Sequence, residues 1–175
     1  MDGERQSTRV IREPARDIPL AGEYEVIVCG GGTAGIPAAI AAARNGVRTA
    51  LFERHGFAGG VAAYSIMPCW HGMPGHHTGL LSEFGQRVAE FGQGPSPFTS
   101  GGHMEPETVK IVSLQMLEEA GVDLHLHTWV VGVLKDGDRV TGIVTESKSG
   151  RRAFLCKVLV DTTGDGDAAA LAGAR

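Results

Sequence analysis

The hydrophobic pattern of the first third of the chain predicts a strand, a helix and a second strand. Residues 24–29 and 47–53 are short apolar runs, as expected for strands that are buried on both faces of a parallel sheet. Between them, residues 35–45 are rich in alanine and isoleucine and predict a helix that ends before Gly46. Strand, helix and strand within about thirty residues form a βαβ unit.

The rest of the chain predicts further helices and a run of short strands. Helices are expected over 80–91 and 106–120, and a strand over 122–127. Three strands at 129–134, 139–146 and 152–156 are separated by the turn sequences KDGD and SKSG, which indicates an antiparallel meander. A last apolar strand over 157–161 runs into TTGDGD. The predicted fold class is α/β, a Rossmann-like parallel sheet with a three-stranded antiparallel β-meander.

The remaining segments set the predicted domain limits. Residues 1–22 contain Pro14 and Pro19 and are expected to be an extended leader. Residues 23–175 form the predicted nucleotide-binding domain, with a helical insertion at about 61–105.

Composition narrows the class of protein and its partners. Hydrophobic residues make up 42% and charged residues 21% of the 175 residues, as in globular domains. The formal net charge of −4 comes without a basic stripe, so nucleic acid is not an expected partner. No apolar run is long enough to span a bilayer, and the N-terminus lacks a secretory signal. With three cysteines far apart in sequence, we expect a reducing, cytoplasmic location.

A glycine motif lies between the first strand and the first helix. Gly30, Gly32 and Gly35 have the spacing G-x-G-x-x-G. A helix N-terminus offers unpaired N–H groups and a positive dipole end to a diphosphate, and a side chain at Gly32 would keep that diphosphate away. Glu53 ends the second strand 23 positions after Gly30, where an acid accepts hydrogen bonds from an adenosine ribose. The pattern predicts a dinucleotide site; the alternative is a glycine-rich turn beside an incidental glutamate.

Two further motifs favour FAD over NAD as the dinucleotide. They are ERHGFAGG after the second strand and DTTGDGDAAALAGA after the last strand. With the sequence REPARDIPLAGEYEVIVCGGG, they resemble the FAD-dependent oxidoreductase family, which has the glutathione-reductase-type two-dinucleotide-binding fold. The resemblance covers about residues 12–174.

The resemblance implies FAD as cofactor and a set of residues around it. It implies the diphosphate over the glycine loop, the ribose on Glu53 beside Arg54, and backbone contacts to the rest of the cofactor. The implied cofactor-binding residues are Gly30, Gly31, Gly32, Thr33, Ala34, Gly35, Glu53, Arg54, Gly59, Gly60, Val130, Gly164 and Asp165.

The resemblance also implies that the fold is incomplete relative to the family, because members continue after the TGDGD helix into a substrate domain. We therefore expect the FAD-binding portion of an oxidoreductase that transfers a hydride between a small organic substrate and FAD. A second chain or a missing C-terminal domain is an expected partner. Two alternatives stay open at this point: an NAD(P)-binding oxidoreductase domain, and a truncated non-catalytic fragment or assembly partner.

The histidines give three interpretations. The stretch CWHGMPGHH places His71, His76 and His77 where the family chain passes the flavin ring, so they are candidates for proton transfer. A metal site with Cys69 has the wrong spacing for a zinc framework, so none is predicted, and a polar loop is the simplest interpretation. His125 and His127 alternate with leucines and are expected on the solvated face of a strand, and Trp129 is expected to be a packing residue.

Overall fold

The central element is a six-stranded sheet with the strand order β3-β2-β1-β6-β5-β4. The computed structural model of the protein describes residues 10–65, 78–92 and 104–174. The first four strands in that order run parallel, β5 pairs antiparallel with β6, and β4 pairs antiparallel with β5. The strands are β1 (Leu20–Cys29), β2 (Thr49–Phe52), β3 (Asp123–His125), β4 (Trp129–Asp136), β5 (Arg139–Ser147) and β6 (Gly150–Asp161). The helices are α1 (Gly35–Arg44), α2 (Val61–Tyr64), α3 (Gly79–Gly92), α4 (Pro106–Glu119) and α5 (Asp167–Leu171).

Strand β1 is apolar from Val26 to its end at Cys29 because both of its faces are covered there. Val28 packs with Leu51 in a core that includes residues of α1, α3 and α4. The alternate side chains Ile27 and Cys29 pack with Phe52 in a second core. Successive side chains of a strand point to opposite faces, so a strand between two cores has no polar face. The sequence prediction that Cys29 is a small buried hydrophobe is confirmed, since its exposed fraction is 0%.

The second core joins the parallel strands to the meander. Val130 of β4, Ile143 of β5 and Phe154 of β6 belong to it. Phe154 and Phe52 meet edge to face with ring centroids 4.7 Å apart. The antiparallel part of the sheet therefore covers the face of β1 and β2 that the helices leave free. The predicted α/β class with a Rossmann-like parallel sheet and a β-meander is confirmed.

Strand β6 corrects the prediction of two short strands at 152–156 and 157–161. It is one strand of 12 residues. Its first part pairs with β5 up to Leu155 and, from Ala153, also with β1, whereas beyond Leu155 it pairs with β1 alone. Lys157 and Val158 are exposed on this second part. Side-chain exposure changes at Lys157, and in the sequence this change looks like the end of one strand and the start of another.

Two smaller differences concern the limits and the number of the elements. Strand β1 begins at Leu20, within the segment 1–22 that was predicted to be an extended leader, because Leu20 already pairs with Ala153. Helix α2 lies at the start of the predicted helical insertion but was not predicted as a separate helix, since four residues carry no helical period. Helices α3 and α4 agree with the predicted limits to within one residue.

The prediction for His125 and His127 is wrong. Strand β3 ends at His125, and His127 has a positive φ of 50°, so the two residues do not share a strand face. The ring of His125 stacks on Phe52 with centroids 4.4 Å apart, and it is only partly exposed. Burial lowers the pKa of His125, with Asp123 opposing the shift. This histidine is a packing residue of the sheet edge.

No helix in the described part of the chain is both long enough and apolar enough to cross a membrane.

Candidate functional site

The glycine loop between β1 and α1 is held by its own backbone. Gly30 has φ +103°, and a Cβ there would lie 2.4 Å from the carbonyl oxygen of Thr162. A Cβ on Gly35 would lie 1.8 Å from the carbonyl oxygen of Gly30. These two glycines are therefore required for the loop to pack against the start of α1 and the end of β6.

Gly32 differs from the other two, because no atom in the described part of the chain requires a glycine there. The nearest atom to a Cβ on Gly32 is the Cα of Gly60, at 3.8 Å. Helix α1 follows without a side-chain cap at Ala34. Within the described residues, the backbone N–H groups of Gly32, Thr33 and Ala34 make no hydrogen bond. The start of α1 thus presents free donors and the positive end of the helix dipole to open space.

Glu53 is the acid that faces this loop. Its side chain is buried, with an exposed fraction of 6%. Oε2 accepts a hydrogen bond of 2.7 Å from the N–H of Gly31, and Oε1 accepts one of 2.7 Å from the N–H of His55. Each carboxylate oxygen has two acceptor positions, so one on each oxygen remains for a ligand hydroxyl. Glu53 joins the end of β2 to the glycine loop and still lines the open cleft.

The TTGDGD turn after β6 closes the third side of the cleft. The Thr162 hydroxyl lies 2.8 Å from the carbonyl oxygens of both Cys29 and Gly30, which share its single donor proton. Asp161 accepts hydrogen bonds from the N–H and hydroxyl of Thr163 and from the N–H of Ala169, at 2.8 to 3.0 Å. Burial raises the pKa of Asp161, but these hydrogen bonds outweigh it and the net pKa is lowered. The turn is therefore fixed to both the glycine loop and α5.

These three segments enclose a cleft of about 210 Å³. We call it the loop cleft, and its lining includes Gly30, Gly32, Thr33, Ala34, Glu53, Arg54, His55, Gly60, Val61, Tyr64, Thr162, Thr163 and Gly164. Val61 and Tyr64 remain more than half exposed at its rim. The loop cleft is therefore open to solvent at this rim.

A smaller recess continues the loop cleft past Glu53. It is lined by residues that include Arg54, Thr128, Trp129, Val130 and Asp167. The Arg54 guanidinium lies over the Trp129 ring, with Cζ 5.7 Å from the centroid. Trp129 is 55% exposed, so the prediction that it is a packing residue is wrong. Its indole, with Arg54 above it, presents a flat surface beside the site of the ribose acid.

The structure brings together most of the residues that the resemblance implied. Of these, Gly30, Gly32, Thr33, Ala34, Glu53, Arg54, Gly60 and Gly164 line the loop cleft, and Val130 lines the recess. Gly31 lies behind the cleft, bonded to Glu53, and Gly35 lies beneath it against Gly30. Gly59 lines a separate apolar cavity between the helices. Asp165 is exposed in the turn beside Gly164 and is not among the lining residues.

Sequence reasoning missed several lining residues. Thr162 and Thr163 lie inside the TTGDGD motif, of which the resemblance implied only Gly164 and Asp165. Asp167, also in that motif, lines the recess. Trp129 is the first residue of β4, after the gap that separates β4 from β3. That gap was the feature of the sequence that could have pointed to Trp129. The candidate catalytic residues His71, His76 and His77 lie outside the described residues, as does Cys69.

The residues present fit a dinucleotide. Donors without partners lie at a helix N-terminus, a buried carboxylate has spare acceptor positions next to them, and Gly32 keeps the approach clear. The free donors suit the negative charge of a diphosphate, and the carboxylate suits the hydroxyls of the attached sugar.

Comparison with known proteins agrees with this geometry. Residues 25–175 match the family model described as FAD dependent oxidoreductase. A curated relative, the tRNA uridine 5-carboxymethylaminomethyl modification enzyme MnmG of Pelobacter propionicus, is 33% identical over 157 residues. That match covers 81% of this chain and 24% of the relative, so the chain spans about a quarter of the relative's length.

Solved structures show the same fold. THI4 of Thermovibrio ammonificans superposes with a TM-score of 0.63 at 23% identity, covering 85% of this chain and 61% of that one. L-proline dehydrogenase of P. horikoshii gives a TM-score of 0.63 at 15% identity, covering 89% of this chain and 57% of that one. At these identities the similarity establishes the fold alone.

Proposed function

The chain belongs to the FAD-dependent oxidoreductase family, whose cofactor is FAD, and we propose that it forms the FAD-binding portion of an enzyme that transfers a hydride between a small organic substrate and FAD. The observation that carries the proposal is the pairing, in one cleft, of free backbone donors at the start of α1 with the buried carboxylate of Glu53.

Each part of the loop cleft has a separate binding task in this proposal. The N–H groups of Gly32, Thr33 and Ala34 hold the diphosphate. Glu53 accepts hydrogen bonds from the adenosine ribose, and its two backbone hydrogen bonds keep the carboxylate in position. The recess beside Arg54 and Val130 receives the adenine, and Gly164 approaches the cofactor from the opposite wall.

FAD supplies the redox chemistry, and the protein supplies binding, orientation and electrostatics. We therefore assign this chain the binding and orientation of the cofactor. The proton-transfer role of His71, His76 or His77 stays a prediction.

The remainder of the enzyme is the proposed partner of this chain. The curated relative extends well beyond the region matched here, and the rim residues Val61 and Tyr64 are more than half exposed. We propose that a second chain or a C-terminal domain covers this rim and supplies the substrate site. Exposed apolar side chains at the mouth of a cofactor cleft suit such a contact.

The proposed cofactor site is tested by a matched pair of alanine variants. Among the described residues, a Cβ at Gly32 meets nothing closer than 3.8 Å. The same is true at Gly92, far from the cleft in sequence, where the nearest described atoms are those of Thr108 at 3.8 Å. Both variants should fold like the wild type. FAD is added to each protein, and binding is followed by the quenching of flavin fluorescence.

We expect Gly32→Ala to weaken FAD binding by about 10- to 100-fold, because the added methyl group displaces the diphosphate from one or two charge-assisted hydrogen bonds. Gly92→Ala should bind FAD like the wild type. Equal affinities for Gly32→Ala and the wild type would show that the diphosphate does not lie on the glycine loop. Hydride transfer is tested separately, by anaerobic loss of the blue absorption band of bound FAD when candidate substrates are added.

A further inference from the structure

A pocket of about 310 Å³ lies on the face of the sheet that carries the second core. Its walls come from the hairpin between β5 and β6 and from the segment that joins β3 to β4. It shares Thr128 with the recess beside Arg54 and shares no lining residue with the loop cleft. We call it the hairpin pocket, and its lining includes His127, Thr145, Ser147, Lys148, Arg152 and Phe154.

Positive charge is concentrated in the hairpin pocket, although the net charge of the chain is −4. Lys148 and Arg152 line it, and no aspartate or glutamate is among its lining residues. Neither of these cations forms an ion pair with another described residue. Arg151 points to the other face of β6, where it is paired with Glu13 and Glu146. Two cations without a described partner therefore line one concave volume.

Arg152 lies beside an aromatic wall. It shares a face of β6 with Phe154, two positions along the strand. The rings of Phe154 and His125 lie 5.2 Å apart, centroid to centroid. Burial lowers the pKa of His125, Asp123 opposes that shift, and the positive charge of Arg152 reinforces it. The guanidinium thus acts on the His125 ring, and the hairpin pocket joins a positive charge to an aromatic surface.

The wall between β3 and β4 is fixed by backbone hydrogen bonds. His127 has a φ of 50°, and it is the one non-glycine residue with a positive φ in the described part of the chain. Its N–H donates to the carbonyl oxygen of His55, and the N–H of Thr128 donates to that of Glu53, both at 2.9 Å. Such a conformation is unfavourable and persists where the surrounding structure determines it, often at binding sites. This wall of the hairpin pocket is therefore held in one conformation.

The lining determines the chemistry of the ligand. An arginine fork and a lysine ammonium together suit the oxygens of a phosphate group, which carries close to two negative charges at neutral pH. The Ser147 hydroxyl accepts a hydrogen bond of 3.2 Å from the N–H of Ser149 and keeps its own proton to donate. A cavity of ~150 Å³ holds one benzene ring, so about half of the hairpin pocket remains for the phosphate group.

We propose that the hairpin pocket binds a phosphate monoester of a small aromatic compound. Arg152 and Lys148 bind the phosphate oxygens, and the ring of the ester packs on Phe154 beside Leu126. The proposal does not depend on FAD, because the hairpin pocket and the loop cleft have no lining residue in common.

The test is a titration of the full 175-residue chain, followed by the backbone amide resonances in NMR spectra. The probes are phenyl phosphate, inorganic phosphate and benzyl alcohol, at about pH 7.5, where a phosphate monoester is mostly dianionic. Amides of residues 147–152 report on the hairpin pocket and those of 32–34 on the loop cleft, so each site gives its own affinity. Arg152→Gln and Lys148→Gln each remove one charge. Arg139→Gln is the matched control, since Arg139 is exposed at the other end of β5, outside the lining.

We expect saturable shifts of the hairpin amides with phenyl phosphate, weaker binding of inorganic phosphate, which lacks the ring, and no saturable shifts with benzyl alcohol. Arg152→Gln should weaken the binding of phenyl phosphate about tenfold, because charge-assisted hydrogen bonds to the phosphate are lost. Lys148→Gln should weaken it about two- to fivefold, as expected for an exposed charge pair. Arg139→Gln should bind phenyl phosphate like the wild type.

Three results would overturn the proposal. The first is the absence of a saturable response of the wild-type hairpin amides to phenyl phosphate. The second is an equal affinity of Arg152→Gln and Arg139→Gln for phenyl phosphate, in samples whose dispersed amide spectra show that both variants are folded. The third is binding of benzyl alcohol as tight as that of phenyl phosphate. FAD is titrated in parallel through the amides of 32–34, so a chain that binds phenyl phosphate at the hairpin but does not bind FAD refutes the proposed function and leaves this proposal standing.

Discussion

Replacing Glu53 should destabilise the fold even in the absence of the cofactor. Its two carboxylate oxygens each accept a backbone hydrogen bond of 2.7 Å, from Gly31 and from His55, in a buried position. In Glu53→Gln the amide oxygen keeps one of these bonds, and the amide NH₂ faces the other N–H. One charge-assisted hydrogen bond is lost, about 1.5–3 kcal/mol, and one buried N–H is left unpaired, about 1–3 kcal/mol.

We therefore expect Glu53→Gln to lower the free energy of unfolding by about 3–5 kcal/mol, a large part of the stability of a single domain. With an m-value of about 2 kcal/mol per M, the urea midpoint of the chain without FAD falls by about 1.5–2.5 M. Glu23→Gln is the matched control, because Glu23 is exposed on β1. Its midpoint should stay near the wild-type value. A Glu53→Gln midpoint equal to that of Glu23→Gln would refute the idea that this carboxylate holds the glycine loop.

Three further predictions concern stability. Gly35→Ala should destabilise the chain by at least about 3 kcal/mol, since its Cβ would lie 1.8 Å from the carbonyl oxygen of Gly30; a urea midpoint like that of the wild type would contradict the loop geometry. Burial, and then the hydrogen bond from Tyr24 to Asp123, raise the pKa of Tyr24 to about 12. A group whose pKa is raised by folding stabilises the fold fully at any pH below its pKa in the unfolded chain, which is about 10 for tyrosine. The stability advantage of wild type over Tyr24→Phe, about 0.5–1.5 kcal/mol, should thus be constant below about pH 10 and shrink as the pH approaches 12; a pH-independent difference would contradict the assignment. Ser113→Ala should stabilise the ligand-free chain by about 1 kcal/mol in urea denaturation, because an unpaired buried hydroxyl is removed, and a clear loss of stability would show that the hydroxyl has a partner.

The βαβ unit could be predicted from the sequence because local signals agree there. Val26 to Phe52 contains two apolar runs, an alanine-rich helix and a glycine at each point where the backbone needs one. The dense packing around Gly30 and Gly35 explains why the motif has that spacing. Glu53 was also predictable, since its distance from Gly30 places it at the same edge of the sheet.

The remaining features depended on tertiary contacts that a local pattern does not contain. The sequence pattern predicted two strands in place of β6, because the neighbouring strands of β6 change along its length and the exposure of its side chains changes with them. His125 was assigned to a solvated face because alternation does not reveal that Phe52 offers it a stacking surface. The contact of Trp129 is with the guanidinium of Arg54, which is distant in sequence.

The central claim is that the start of α1 holds the diphosphate of FAD while Glu53 binds the attached ribose. A crystal structure of the chain grown with FAD tests it most directly. We expect diphosphate oxygens within about 3 Å of the backbone nitrogens of Thr33 and Ala34, and ribose hydroxyls at the same distance from the Glu53 carboxylate. A diphosphate bound elsewhere, or a ribose with no contact to Glu53, would contradict the claim.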